Sequence, residues 1–228
     1  MDRKSIRLSL LLVTTLALGL LLAAGPAAQA QGEQRVSEFG RYAGYSERSY
    51  DGYERFSQYV EVRDGTRLAV DIYRPTLNGH LHTEPLPVIW THTRYQRATQ
   101  LPNGQLAASP DAGEFLLPYG YIIGVVDVRG GGASFGVRDI EFSPAEAQDA
   151  YDITEWFAAQ PWSDGNIGMF GRSYLGITQL FAAAQAPPHL RAIMPEMHMF
   201  DLYDLVHQNG IYLRNFIQQW DYIVRGLD

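Results

Sequence analysis

Hydrophobic and polar positions alternate in short blocks through the middle of the chain, and these blocks predict strands and helices in turn. Two alternating blocks, Tyr59–Val62 and Leu68–Tyr73, flank Arg63-Asp64-Gly65, a pattern typical of a β-hairpin with a tight turn. Apolar runs bounded by turn residues predict four more strands, at Val88–Trp90, Tyr121–Val126, Asn166–Phe170 and Ala192–Met194.

Helical spacing of apolar residues appears between the later strands. Pro144–Ala159 is predicted to be a helix, with Ser143 as its N-cap and proline at its first position. Tyr174–Ala186 is predicted to be a second helix that Pro187-Pro188 ends, and apolar residues from Leu213 onwards predict a third. A hairpin followed by alternating strands and helices predicts an α/β fold with a sheet that is parallel in its centre.

The first thirty residues have the order of a secretory signal peptide. Basic residues lie within the first seven positions, the apolar run Leu8–Ala24 follows, and Ala28-Gln29-Ala30 supplies the small residues that a peptidase requires. We expect cleavage after Ala30, a secreted or periplasmic protein, and no membrane attachment after cleavage. A retained membrane anchor is the alternative, since about 17 apolar residues is the lower limit for spanning the hydrocarbon core.

The pattern divides the remaining chain into three segments. Residues 31–55 are polar and have no sustained apolar period, so an irregular N-terminal arm is predicted. Residues 56–200 hold the predicted sheet and its helices, and residues 201–228 hold the final helical segment.

Composition and charge exclude several classes of function. A chain that is 46% hydrophobic and 19% charged is typical of a folded globular protein. Its 25 acidic residues outnumber 18 basic ones, so a surface that neutralises nucleic-acid phosphates is not expected. The absence of cysteine excludes disulfides, thiolate nucleophiles and sulfur-ligated metals, and His80 and His82 are expected to lie in a surface loop rather than in a metal site.

The segment with the clearest chemistry is Ile167–Gly176, a predicted strand, a serine beside glycine, and a predicted helix. In a nucleophile elbow the serine lies on a strained turn at the end of a central strand, where backbones crowd together and small neighbours are needed. Gly171 meets that requirement for Ser173, but Gly176 lies one position later than the general G-x-S-x-G pattern places it. The alternative is that Ser173 only caps the following helix. The glycine-rich run at 129–136 lacks the spacing of either nucleotide-binding motif.

Five matched segments in the expected order resemble the cocaine esterase and X-Pro dipeptidyl-peptidase family of α/β-hydrolases. The matching segments are Val62–Pro75, Thr93-Arg94-Tyr95, Gly120–Gly130, Asp149–Trp162 and Gly171–Gly176. The family has its own Ser-Tyr-x-Gly elbow, which accounts for the displaced second glycine.

The resemblance implies an α/β-hydrolase fold and an acyl-transfer reaction on small ester, amide or peptide substrates, with no metal or organic cofactor. Ser173 would be the catalytic nucleophile. The oxyanion hole would consist of the backbone N–H of Tyr174 and the hydroxyl of Tyr95. A phenol stays protonated at neutral pH and can donate a hydrogen bond; the alternative for Tyr95 is a half-buried loop aromatic.

Other matched residues are expected to have structural roles. Asp127 and Arg129 would hold the neighbouring loop by charge-assisted hydrogen bonds. Asp149 and Asp152 would lie on a solvated helix face or act as capping partners. Trp156 and Trp162 would pack in the core or against a loop.

In the family the acid and the histidine of the triad follow a helical cap beyond the sixth strand, and residues 201–228 match only the start of that cap. No residue here matches the acid or the base, and His189, His198 and His207 are not assigned to catalysis. The sequence therefore predicts a fold truncated after about the sixth strand, with an exposed sheet edge that favours self-association. Two hypotheses remain open: a secreted serine hydrolase, or an inactive fragment or module that depends on a partner.

Overall fold

The structure is a computed structural model that describes residues 36–43, 47–108, 113–199 and 201–227. Two compact units are distinguished, residues 1–45 and residues 46–228. The first contains a two-stranded antiparallel hairpin of β1 (Val36–Glu38) and β2 (Arg41–Ala43). The predicted signal peptide lies outside the described residues.

The second unit is built on one mixed sheet. In chain order its strands are β3 (Gly52–Glu61), β4 (Arg67–Leu77), β5 (His80–Leu81) and β6 (Leu86–Thr93), followed after the small hairpin of β7 (Ala98–Gln100) and β8 (Leu106–Ala108) by β9 (Ile122–Asp127), β10 (Ser163–Arg172) and β11 (Leu190–Glu196). A 3₁₀ helix at Glu114–Tyr119 leads into β9.

The sheet is parallel in its centre, as the sequence predicts. Among the described residues the strand order is β11-β10-β6-β9-β4-β3, and β5 pairs with β4. Three neighbouring pairs are parallel: β11 with β10, β10 with β6, and β6 with β9. In contrast, β4 pairs antiparallel with both β9 and β3. Helices α1 and α2 connect β9 to β10 and β10 to β11, whereas a tight turn joins the antiparallel neighbours β3 and β4.

The helices follow the sheet strands. They are α1 (Pro144–Ala158), α2 (Tyr174–Ala184), the short α3 (Leu202–Val206) and α4 (Arg214–Val224), with a hairpin of β12 (His207–Gln208) and β13 (Ile211–Tyr212) between the last two. The predicted start of α1 is confirmed: Ser143 precedes it and accepts a hydrogen bond from the Glu146 N–H at 3.1 Å.

The core lies on both faces of the sheet. Along β9, Ile122 and Val126 belong to the cluster that contains Ile153 and Phe157 of α1. Ile123 and Val125 belong to a second cluster on the opposite face. A strand that is buried on both faces needs a continuous apolar run, which is the pattern of this segment.

The prediction of an irregular N-terminal arm needs correction. The segment 31–55 is predicted to be irregular, but the structure has the β1–β2 hairpin within it and begins β3 at Gly52. Cross-strand pairing with β4 extends β3 beyond its alternating block. The division of the chain into segments remains a prediction.

Candidate active site

Ser173 lies at the turn between β10 and α2, in a strained backbone conformation. Its φ is 60° and its ψ is −124°, a region that a residue with a side chain rarely adopts and that costs about 1–3 kcal/mol. Hydrogen bonds hold this turn: the Ser173 N–H donates to the Glu196 carbonyl at 2.9 Å, and the Ser173 carbonyl accepts from the N–H of Gly176 at 2.8 Å. The side chain makes no capping hydrogen bond to the described α2, so the alternative that Ser173 only caps the helix is wrong.

Neighbouring atoms approach the backbone of the elbow so closely at two positions that only glycine fits there. Gly171 has a φ of 145°, and a β-carbon there would overlap the side chain of Leu175. A β-carbon on Gly176 would overlap the backbone carbonyl of Glu196 in β11. The position of the second glycine is therefore fixed by where α2 passes the neighbouring strand.

The structure brings Tyr95 to Ser173. The Tyr95 hydroxyl lies 3.2 Å from Ser173 Oγ, within hydrogen-bond distance, although 78 positions separate the two residues. Tyr95 is half-buried in the loop after β6, and its backbone N–H donates to the Thr93 hydroxyl at 2.9 Å. Tyr95 is thus a half-buried loop aromatic whose hydroxyl also reaches Ser173, and its role as an oxyanion donor remains a prediction.

A buried ionic cluster holds the loop that carries Tyr95. The Arg97 N–H donates to an Asp127 carboxylate oxygen at 2.7 Å, and the Arg97 guanidinium lies 3.6 Å from both Asp127 and Asp71. The other Asp127 oxygen accepts from the Ala133 N–H at 3.0 Å. Burial raises the pKa of Asp127, and these N–H donors oppose that rise. Asp127 thus ties two loops to the sheet, as the sequence analysis expects.

Tyr174 is the first residue of α2. Within the described part of the chain no acceptor takes its backbone N–H, as is usual for the first turn of a helix. Such N–H groups, with the helix dipole, favour negative charge nearby. This N–H belongs to the residue that follows Ser173, whose Oγ lies 3.2 Å from the Tyr95 hydroxyl.

The Tyr174 side chain is buried beneath the elbow. Its hydroxyl donates to the Glu146 carboxyl at 2.7 Å, and its ring stacks on Phe142 with centroids 4.3 Å apart. Burial raises the pKa of Glu146 to about 7 and the pKa of Tyr174 well above its usual value. The sequence pattern does not reveal this role of Glu146, because an acidic residue in a first helical turn is already explained by the helix dipole.

Helix α4 packs against the loop that carries Tyr95. The Trp220 ring meets the Tyr95 ring edge-on with centroids 6.1 Å apart, and the Arg94 guanidinium lies 5.6 Å from the Trp220 centroid. The Gln96 side chain donates to the Leu227 carbonyl at 3.2 Å. Residues beyond 200 thus form part of the surroundings of Tyr95.

The histidines that the sequence analysis left unassigned lie in other contacts. His189 pairs with Glu155 at 2.6 Å, His207 stacks on Tyr203, and His198 is exposed. His92 is fully buried on β6, where burial lowers its pKa to about 3. No group of three or more candidate metal ligands occurs among the described residues.

The matched acidic residues on α1 bind arginines. Asp149 is buried and accepts two hydrogen bonds from Arg129, both at 2.6 Å, so the expectation of a solvated face or a cap is wrong for Asp149. Tertiary burial against the loop after β9 is the cause. Asp152 binds the guanidinium and backbone of Arg63 at the surface.

Residues 64–227 match the family model described as X-Pro dipeptidyl-peptidase (S15 family). The chain belongs to this S15 family. The resemblance stated from the sequence motifs is thereby confirmed, and the S15 match includes Tyr95, Ser173 and Tyr174.

Individual relatives of this S15 chain carry esterase and peptidase names. A Mycobacterium bovis protein named as a serine esterase is 35% identical over 191 residues, which cover 78% of this chain and 30% of that protein. The cocaine esterase of a Rhodococcus species is 41% identical over 152 residues, 63% of this chain and 23% of the relative. The chain thus spans about 30% or less of the length of these curated relatives.

Solved structures confirm the fold class of this S15 chain. A CocE/NonD family hydrolase from Staphylococcus aureus superposes with a TM-score of 0.57 at 33% identity, covering 65% of this chain and 28% of that one. The mixed sheet described above therefore belongs to an α/β-hydrolase-like fold, as the sequence analysis expects. Among the described residues, no helix has the length and hydropathy to cross a membrane.

Proposed function

We propose that this protein is a serine hydrolase that transfers the acyl group of an ester or amide substrate to Ser173 and then to water. The single observation that carries the proposal is the 3.2 Å approach of the Tyr95 hydroxyl to the Oγ of a serine held at positive φ. The family match and the esterase and dipeptidyl-peptidase names of the relatives support the same reaction class.

The proposed reaction has two steps. Ser173 Oγ forms a bond to the substrate carbonyl carbon, its proton passes to a base, and the alcohol or amine leaves with a proton. Water then attacks the acyl-enzyme, releases the carboxylic acid and restores the serine. The base and its acid partner follow the nucleophile in the chain order of this fold, and we assign no residue of this chain to them.

The proposed oxyanion donors are the Tyr174 N–H and the Tyr95 hydroxyl. Negative charge develops on the carbonyl oxygen in the tetrahedral intermediate, and donors fixed before the reaction stabilise it without reorganisation. Tyr95 is fixed by its loop and Tyr174 by its position at the start of α2.

We also propose that the protein is exported. The support is the sequence order of residues 1–30, with basic, apolar and small-residue regions in turn. The N-terminal sequence of the protein recovered from the culture medium or periplasm tests this proposal, and a start at Gln31 is expected. A protein retained in the cytoplasm with Met1 intact would contradict it.

A fluorophosphonate probe tests the proposed nucleophile. The full chain is treated with the probe, and the modified peptide is located by mass spectrometry. We expect one adduct on Ser173, lost in Ser173→Ala and kept in Ser163→Ala, a matched serine at the start of β10. A folded protein with no Ser173-dependent labelling would favour the other hypothesis, a chain without catalysis of its own or one that depends on a partner.

A further inference from the structure

Glu146 occupies an unusual place for an acidic residue. It lies in the first turn of α1, where acids are usually exposed and interact with the helix dipole. Here Glu146 is only 2% exposed, and its side chain reaches the start of α2 instead of solvent. Burying a carboxyl costs free energy unless specific partners compensate, so a hydrophobic residue would fill the same space at lower cost.

The partner of Glu146 is the residue that follows the serine. The Tyr174 hydroxyl donates to Glu146 Oε1 at 2.7 Å, whereas Oε2 is buried without a hydrogen-bond partner among the described residues. The Tyr174 ring is held between Phe142, which stacks on it, and Tyr95, whose ring meets it edge-on with centroids 6.2 Å apart. The bond to Glu146 thus fixes the far end of a side chain that touches Tyr95 and begins at the elbow.

We infer that Glu146 is a positioning residue, which holds Tyr174 through its hydroxyl and so orients the Tyr174 N–H and the Tyr95 ring toward Ser173. This inference rests on the proposed function, because it assigns both groups to the oxyanion hole. Glu146 itself touches neither Ser173 nor substrate in this role; it acts through Tyr174.

The charge of Glu146 is sensitive to its surroundings. Tyr174 on α2, Arg138 before α1 and Arg94 just after β6 favour the ionised carboxylate, and Asp149 on α1 disfavours it. Burial of the carboxyl outweighs the groups that favour its ionisation, so the pKa of Glu146 rises to about 7. The bond from Tyr174 therefore changes from neutral to charge-assisted near neutral pH, which strengthens it.

An amide titration tests the inference without any need for turnover. The ¹H and ¹⁵N shifts of the Tyr174 N–H in the ¹⁵N-labelled full chain are followed from pH 5 to 8.5. We expect a titration with a midpoint near 7, absent in Glu146→Gln and strongly reduced in Tyr174→Phe, which keeps the backbone N–H. Asp152→Asn on the surface of α1 is the control and keeps the titration. Tyr174 amide shifts that are the same in the wild type and in Glu146→Gln at every pH would overturn the inference.

Probe reactivity supplies the second readout. The rate of fluorophosphonate labelling at Ser173 is measured across the same pH range in the wild type, Glu146→Gln and Tyr174→Phe. We expect both variants to react about tenfold or more slowly, the effect of losing a charge-assisted hydrogen bond, and Glu146→Gln to lose the step near pH 7. Wild-type rates with a wild-type pH profile in both variants would overturn the inference. Absence of labelling in the wild type would instead count against the proposed function, and the amide titration would still decide the role of Glu146.

Discussion

Gly176 lies against the backbone of Glu196 so closely that a β-carbon would overlap the Glu196 carbonyl oxygen. The same carbonyl accepts the Ser173 N–H at 2.9 Å. One peptide group of β11 therefore both fixes the strained serine and brings the first turn of α2 against the sheet. This relationship explains why the second glycine comes three positions after the serine.

Replacement of Gly176 should disturb the elbow. Gly176→Ala forces α2 away from β11, and overpacking of this kind costs about 1–3 kcal/mol of unfolding free energy. Urea denaturation measures the loss. Gly168→Ala on β10 is the control, because a β-carbon there meets its nearest atoms at an ordinary 3.6 Å. Equal stability of the two variants would show that the close approach is not needed.

Removal of the Tyr95 hydroxyl should slow the reaction with little change in stability. Loss of one preorganised oxyanion donor costs about 10²–10³ in rate, so Tyr95→Phe should lower kcat/KM for an activated ester by that factor. Tyr121→Phe, a half-buried tyrosine in a different cluster, serves as the matched control. A Tyr95→Phe variant with the wild-type kcat/KM would mean that the hydroxyl does not stabilise the transition state.

The pH dependence of stability should report the buried Glu146. Its pKa is about 7 in the folded protein and about 4.5 in the unfolded chain, so the folded state keeps a proton between these values that the unfolded state has released. The unfolding free energy therefore falls as pH rises from about 4.5 to 7, by at most about 3 kcal/mol. Glu146→Gln cannot titrate and should lack this decline.

Denaturation of both proteins at several pH values within this window measures the difference. The exposed Glu61→Gln variant controls for the loss of a surface carboxylate and should follow the wild type. If the wild-type and Glu146→Gln curves run parallel across the window, the buried carboxyl does not hold its proton in the folded state.

Two aspartates on α1 should differ sharply in their contribution to stability. The Asp149 side chain is 1% exposed and binds Arg129. Asp149→Ala leaves a largely buried guanidinium that keeps its bond to the half-exposed Asp64, so the variant should cost about 3 kcal/mol. Asp152 binds an Arg63 side chain that is 47% exposed, and Asp152→Ala should cost about 1 kcal/mol or less. Thermal or chemical denaturation compares them, and similar losses would contradict the assignment of Asp149 to a buried ion pair.

Local signals account for the parts of the fold that the sequence predicts. The start of α1 follows from Ser143 and Pro144, since capping and a fixed proline φ act within a few residues. The small elements α3, β12 and β13 are too short to produce a hydrophobic period, so the sequence pattern does not predict them.

Long-range contacts account for what the pattern alone misses. The approach of Tyr95 to Ser173 joins two loops that are far apart in the chain. Resemblance to a family predicts this contact, whereas the spacing of residues along the sequence does not. The burial of Asp149 and Glu146 depends on which elements pack over α1, which a helical period of charged residues does not reveal.

The central claim is that Ser173, Tyr95 and Tyr174 form one oxyanion-stabilising site. A crystal structure of the full chain after reaction with a phosphonate ester tests it most directly. We predict a bond from Ser173 Oγ to phosphorus, with one phosphoryl oxygen about 2.7–3.1 Å from both the Tyr174 nitrogen and the Tyr95 hydroxyl. An adduct on another residue, or a phosphoryl oxygen that turns away from both donors, would contradict the claim.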